Sequence, residues 1–303
     1  RWSALAPSWP GRDGTPEAAR KQPDPALRTL TLSQLVDQFE AVARGLPRPP
    51  LLVGHSMGGL VVQLLLQRGI GAAAVVLGSA PPHGVRSFAW SHLRANSAVL
   101  WPSSAPIVPS FSWFRYAFLH TGPEEVARQA FVDQIVPESR EVGRGPLRPE
   151  SKIDFTRPRA PLLFLSGELD RIIPPALNRR NAARYRPEAG LTEWEVVPGR
   201  THFLANQPGW ETLAERTLAF ADGAVEFPEA ARHAVRTGVE HACVRRVADR
   251  LALRHDVRAA ARPGHGSISW LIRLPRPGCY RDIPSAGACA APESASFDGL
   301  SRR

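Results

Sequence analysis

One serine set among glycines constrains this 303-residue chain more than any other feature. Gly54-His55-Ser56-Met57-Gly58 has the spacing G-x-S-x-G and is followed by Gly59. Ahead of it, Leu51-Leu52-Val53 is the short, continuously apolar run of a strand buried on both faces. Behind it, Leu60 to Leu66 is apolar at every position but Gln63 and reads as a buried helix. Strand, tight turn and helix in that order put the Ser56 hydroxyl at the carboxyl end of a sheet and at a helix N-terminus. Such a turn brings neighbouring backbone very close, so the positions two residues before and after the serine must be small. A chain organised around this unit is expected to be α/β, with a mainly parallel sheet and flanking helices.

The surrounding sequence repeats the alternation. Ala73–Leu77, Pro161–Leu165 and Glu193–Val197 read as further short strands, and Leu32–Gly45 and Met57–Gly69 as helices, the second stopped by a glycine signal. Residues 84–158 break the pattern with a stretch rich in Trp, Phe and Pro, read as a helical cap inserted over the sheet edge. Within it, Trp113, Phe114, Tyr116 and Phe118 are the candidates for an apolar substrate pocket.

A serine hydroxyl is a poor nucleophile without a base, and the base needs an orienting acid. In an α/β arrangement the acid and the histidine follow the serine in that order, each just after a strand. The strand 161–165 runs into Ser166-Gly167-Glu168-Leu169-Asp170, and the strand ending at Val197 runs into Pro198-Gly199-Arg200-Thr201-His202-Phe203. Ser56, Asp170 and His202 are therefore expected at one sheet edge, with Glu168 the competing acid. His55 should point away from its neighbour Ser56 as a packed histidine, and His83 and His120 are expected in surface or structural roles.

These motifs resemble those of the α/β-hydrolase superfamily over about residues 2–222, including Leu5-Ala6-Pro7-Ser8-Trp9-Pro10-Gly11, which is similar to the family's strand ending in a proline-glycine turn. The resemblance implies a serine hydrolase of small ester-like substrates acting through an acyl-enzyme. Ser56 would be the nucleophile, His202 the base, Asp170 its partner and the Met57 N–H an oxyanion-hole donor. It implies no metal and no organic cofactor, and a small-molecule substrate as the partner. A non-catalytic binding protein, a C–C hydrolase and a cofactor-free haloperoxidase-like perhydrolase share the same fold.

The family pattern also has a strand and a His-Gly loop ahead of the nucleophile strand, and no His-Gly pair precedes Ser56. The chain is therefore read as N-terminally truncated, with the strand Leu51–Val53 left with an unpaired edge. After residue 222 the composition shifts to Arg, Ala and Pro. Residues 223–303 are read as a disordered or frame-shifted tail outside the hydrolase domain, with one amphipathic helix expected over Val235–Leu251.

Composition narrows the partners. The net charge of +10 raises nucleic acid as a candidate. All but two of the 38 basic residues are arginine, the exceptions being Lys21 and Lys152, and they are scattered among 28 acids rather than gathered in one block. No nucleic-acid partner is expected, and the high charge is read as a compositional bias. Cys243, Cys279 and Cys289 form neither a C-x-x-C pair nor a disulfide framework. No apolar run reaches the length of a membrane span, and the cytoplasm is the expected compartment.

Overall fold

A computed structural model of the chain describes residues 3–12, 14–226 and 269–273. Four segments pair in the order expected of consecutive crossovers, and two more extend the sheet at one edge, one of them from far along the chain. The strands are β1 (Ser3–Leu5), β2 (Leu51–His55), β3 (Ala73–Leu77), β4 (Leu162–Gly167), β5 (Thr192–Val197) and β6 (Ser269–Arg273). They lie in the spatial order β1-β6-β2-β3-β4-β5. From β2 to β5 every pairing is parallel, in register Val53↔Val75, Val75↔Leu163 and Leu163↔Glu193. Parallel neighbours need crossover helices, which cover both faces of the sheet. Every residue of β2, β3 and β4 is accordingly buried.

Two helices position β2. The first is α2 (Leu32–Arg44), after the short α1 (Pro16–Lys21). It opens with a capping box: the Gln34 N–H donates to the Thr31 hydroxyl, and the Thr31 N–H donates to Gln34 Oε1. Leu32, Leu35, Val36, Phe39 and Ala43 recur at helical spacing and form its buried face. The second, α3 (Met57–Gln67), is buried from Gly58 to Leu66 and ends in a left-handed turn at Gly69 (φ 76°). Their side chains join those of β2, β3 and β4 in one core. A second core, built from Leu51, Val53, Leu163 and Leu165, packs against α9 (Glu211–Glu226) through Leu213, Leu218 and Phe220.

Between β3 and β4 the chain forms α4 (Trp90–Leu100), α5 (Phe111–Ala117), α6 (Glu124–Gln134) and α7 (Arg140–Arg144). Their apolar stripes are thin: α4 buries only Ala95 and α6 only Ala127. Many of the aromatics in this stretch are outside the core, with Phe88 79% and Trp101 71% exposed. Between β4 and β5 lies α8 (Pro175–Ala182).

The expectation of an unpaired edge at Leu51–Val53 is overturned. β6 runs antiparallel between β1 and β2, in register Leu5↔Leu271 on one side and Leu52↔Leu271 on the other. The physical reason is that an open edge beside a fully buried strand presents unpaired N–H and C=O groups, and an extended segment of any sequence distance can satisfy them. Ser269-Trp270-Leu271-Ile272-Arg273 is a short run of strand-forming residues inside a Pro- and Gly-rich stretch that otherwise hides it. The helix expected over Val235–Leu251 and the three cysteines lie outside the described residues. Among the described residues no helix is long and apolar enough to cross a membrane.

Candidate active site

The turn from β2 into α3 carries its strain on one residue. Ser56 has φ 55° and ψ −119°, and among the described residues it alone combines a side chain with a positive φ. Its N–H donates to the Leu77 carbonyl at 2.9 Å, and its own carbonyl accepts from Ala80 at 2.8 Å, so β3 clamps the turn from the side. The glycines are required by contact. A Cβ on Gly54 would lie 2.3 Å from the Gly58 carbonyl oxygen, and one on Gly59 would lie 2.9 Å from the Ser79 Cα. Behind the turn, Gln63 donates to the Ser79 hydroxyl at 2.7 Å and accepts from Asn181 at 3.1 Å and Tyr185 at 3.0 Å. This polar residue in the buried stretch of α3 is thus satisfied and ties the helix to the loop after β3 and to α8.

The loops after β4 and β5 bring the remaining groups together. Asp170 and His202 are buried while Ser56 is partly exposed. One Asp170 oxygen, Oδ1, accepts from the Ile172 and Ile173 N–H groups at 2.8 and 2.7 Å. Its other oxygen, Oδ2, lies 2.7 Å from His202 Nδ1, and His202 Nε2 lies 2.8 Å from Ser56 Oγ. A carboxylate can only accept, so it fixes the proton on Nδ1 and leaves the Nε2 lone pair facing the serine hydroxyl. The two loops can meet because Gly167 has no side chain; a Cβ there would lie 2.6 Å from both the Arg200 and Thr201 carbonyl oxygens.

Each residue singled out from the sequence has a definite place. Asp170, not Glu168, reaches His202; Glu168 instead accepts the Gly199 N–H at 2.8 Å and ties the two loops on their outer side. Met57 is the first residue of α3, where N–H groups have no intrahelical acceptor. His55 is buried, its Nε2 2.8 Å from the His202 carbonyl oxygen. Burial, with the nearby His202 ring adding to it, pushes its pKa down to about 3. A neutral His55 therefore donates to that carbonyl and holds the His202 backbone in place. Of the four pocket candidates, Phe118 stands edge-on to the His202 ring at 4.9 Å, and Tyr116 lines an open groove beside the site. Trp113 donates its indole N–H to the Ala95 carbonyl, and Phe114 is fully buried against Phe118 and Phe203.

Gly78, which sequence reasoning passed over, belongs to the same cluster. It sits at φ 47°, and a Cβ there would lie 3.0 Å from Asp170 Oδ2. The available signal was a glycine immediately after a buried strand. Among the described residues, no group of three or more His, Cys, Asp or Glu side chains is arranged to hold a metal ion.

The sequence model of the alpha/beta hydrolase family matches residues 1–215. Among curated proteins no sequence matches the chain significantly. Among solved structures, the candidate non-heme bromoperoxidase BpoC from Mycobacterium tuberculosis H37Rv is similar at 16% identity and a TM-score of 0.50, over 73% of this chain and 96% of that one. A monoacylglycerol lipase from Paleococcus ferrophilus aligns at 18% identity and a TM-score of 0.48, over 65% of this chain and 76% of that one. A thermophilic esterase from Thermogutta terrifontis aligns at 20% identity and a TM-score of 0.44, over 62% and 71%.

Proposed function

The chain belongs to the alpha/beta hydrolase family, and from that premise we propose that it is a serine hydrolase of small ester-like substrates. What carries the reading is the unbroken hydrogen-bonded path from Ser56 Oγ through His202 to Asp170. His202 Nε2 takes the hydroxyl proton as Ser56 Oγ attacks the ester carbonyl carbon, and Asp170 stabilises the imidazolium that forms. The tetrahedral oxyanion lies at the N-terminus of α3, where the Met57 N–H donates to it; one such donor lowers the barrier by about 3–4 kcal/mol. His202 returns the proton to the departing alcohol. Water then attacks the acyl-enzyme with His202 again as base, releasing the acid and restoring Ser56.

The chemistry asks for no cofactor. Residues 84–158 act as a cap whose inner aromatic side chains form an apolar wall beside the acyl group. The contact of Phe118 with the His202 ring and the Phe203 N–H donated to the Phe118 carbonyl at 3.2 Å support that role.

The test is active-site labelling with a fluorophosphonate, followed by peptide mapping and hydrolysis of short p-nitrophenyl esters. Label on Ser56, lost with activity in Ser56→Ala, is the expected result. Turnover retained by a folded Ser56→Ala chain would place the nucleophile elsewhere.

A further inference from the structure

Beside the triad, a groove of about 480 Å³ gathers three arginines against a single carboxylate. Its walls include Arg115 and Tyr116 of α5, His120, Glu124 and Arg128 of α6, and Arg171, the residue after Asp170. Glu124 pairs with Arg128. Arg115 is held by backbone carbonyls alone, donating to those of Leu119, Thr121 (3.1 Å) and Gly122 (2.8 Å), which orient the guanidinium without neutralising it. Arg171 has a single long contact, 3.4 Å to the Tyr116 carbonyl, and its guanidinium lies 4.9 Å from the centre of the Tyr116 ring. Arg94 also lies over the Tyr116 ring, at 4.1 Å. Among the described residues neither Arg115 nor Arg171 has an acidic partner. Asp170 makes no ion pair with either, its oxygens being bonded to Ile172, Ile173 and His202, although its charge is felt at His120.

His120 adds a donor. Its Nδ1 is buried with no hydrogen-bond partner. Burial and the adjacent Arg171 and Arg115 charges hold it below the usual histidine range, so it stays neutral at pH 7 and keeps one N–H to give. Two uncompensated guanidinium forks, an imidazole and an aromatic floor form a receptor for a small planar or tetrahedral anion.

We propose that this groove binds an oxyanion, a carboxylate or a phosphate group, next to the acyl-transfer centre. Arg171 is one residue from Asp170, and Tyr116 is two residues from Phe118, whose ring touches His202. The anion has two sources: the negatively charged end of the ester substrate, an arm that rests on the hydrolase reading, or a free small anion.

The experiment begins with calorimetric titration of inorganic phosphate into the full chain carrying Ser56→Ala, so that binding is read whether or not the chain hydrolyses esters. Saturable binding that weakens with added salt is expected. Arg171→Gln should raise the dissociation constant roughly 3- to 10-fold, and Arg171→Lys by less, as for a charge-assisted contact in an open groove. Shifts of the His120 ring resonances during the same titration read the site without any substitution in it.

The second arm compares kcat/KM for p-nitrophenyl butyrate and the mono-p-nitrophenyl ester of succinate in the Ser56 chain. A preference for the charged ester that Arg171→Gln removes assigns the anion to the substrate. Phosphate binding without that preference assigns the groove to a free anion. No saturable phosphate binding, or binding that leaves His120 unmoved and Arg171→Gln unaffected, overturns the proposal.

Discussion

Replacing Leu271 with proline should cost this protein a substantial part of its stability, because β6 is paired on both sides. The register gives three residue pairs with β1 and four with β2. An antiparallel ladder averages about one hydrogen bond per residue pair, so β6 supplies about seven. At a net of about 0.5–1.5 kcal/mol each, the strand contributes about 4–10 kcal/mol, against about 5–15 kcal/mol for a whole domain. Leu271 faces Leu5 on one side and Leu52 on the other, so its N–H belongs to one of the two ladders whichever strand it addresses. Proline deletes that donor and is excluded from central strands, which costs about 2–3 kcal/mol. Leu271→Ala serves as the comparison, because it changes the side chain and leaves the backbone donor. The assay is urea unfolding of the three full-length chains followed by circular dichroism. With a urea dependence of about 2–3 kcal/mol per molar, Leu271→Pro should melt about 1 M below Leu271→Ala at similar slope. Truncation after residue 226 should lower the midpoint further. Coincident melts for Leu271→Pro and Leu271→Ala would refute the reasoning, since β6 would then be no part of the native sheet.

Three further outcomes follow from the site. His202→Ala should lose nearly as much kcat as Ser56→Ala, about 10⁴-fold or more, and the double variant should be hardly worse than either, because the residues act as one unit; additive losses in initial-rate assays would contradict the shared role. Gly54→Ala places a Cβ 2.3 Å from the Gly58 carbonyl oxygen, so the elbow must open; thermal melts should show either no folded protein or a loss of several degrees, and an unchanged melting temperature would refute the close approach. His55 is pushed down to about 3 in the folded chain, below its unfolded value of about 6.5. Between those values the unfolded chain binds the extra proton, so the contribution is complete above pH 6.5 and is lost as pH falls towards 3, at up to about 1.4 kcal/mol per pH unit. Urea melts from pH 7 to 4.5 should show this slope, shallower in His55→Gln; identical pH profiles would remove His55 from the account.

Much of the site was legible because it is local. The run Leu51–Val53, the glycines of the turn and the apolar stretch Leu60–Leu66 specify strand, turn and helix within sixteen residues, and two of those glycines, Gly54 and Gly59, have no room for a Cβ. Parallel crossovers put the end of every such strand at one sheet edge, so the order Ser56, Asp170, His202 along the chain already placed the three together. The choice between Asp170 and Glu168 is not encoded by spacing. It depends on how the loop after β4 curls, with Asp170 turned inward by the Ile172 and Ile173 N–H groups and Glu168 outward to Gly199. The helices α4 and α6 bury one residue each, which leaves no periodicity to read.

What the sequence by itself determined is therefore the α/β layering, the elbow and the set of three side chains, all carried by residues whose spacing encodes a repeat or a turn. Only the tertiary structure decided which buried groups satisfy one another across distance. Gln63 meets Ser79, Asn181 and Tyr185, His55 holds the His202 carbonyl, and Gly78 leaves room for Asp170. It also decided that the edge of β2 is closed by a strand more than two hundred residues further along the chain. Periodicity records which face of an element is apolar. It does not record which extended segment completes a ladder, because backbone N–H and C=O groups are the same in every residue but proline.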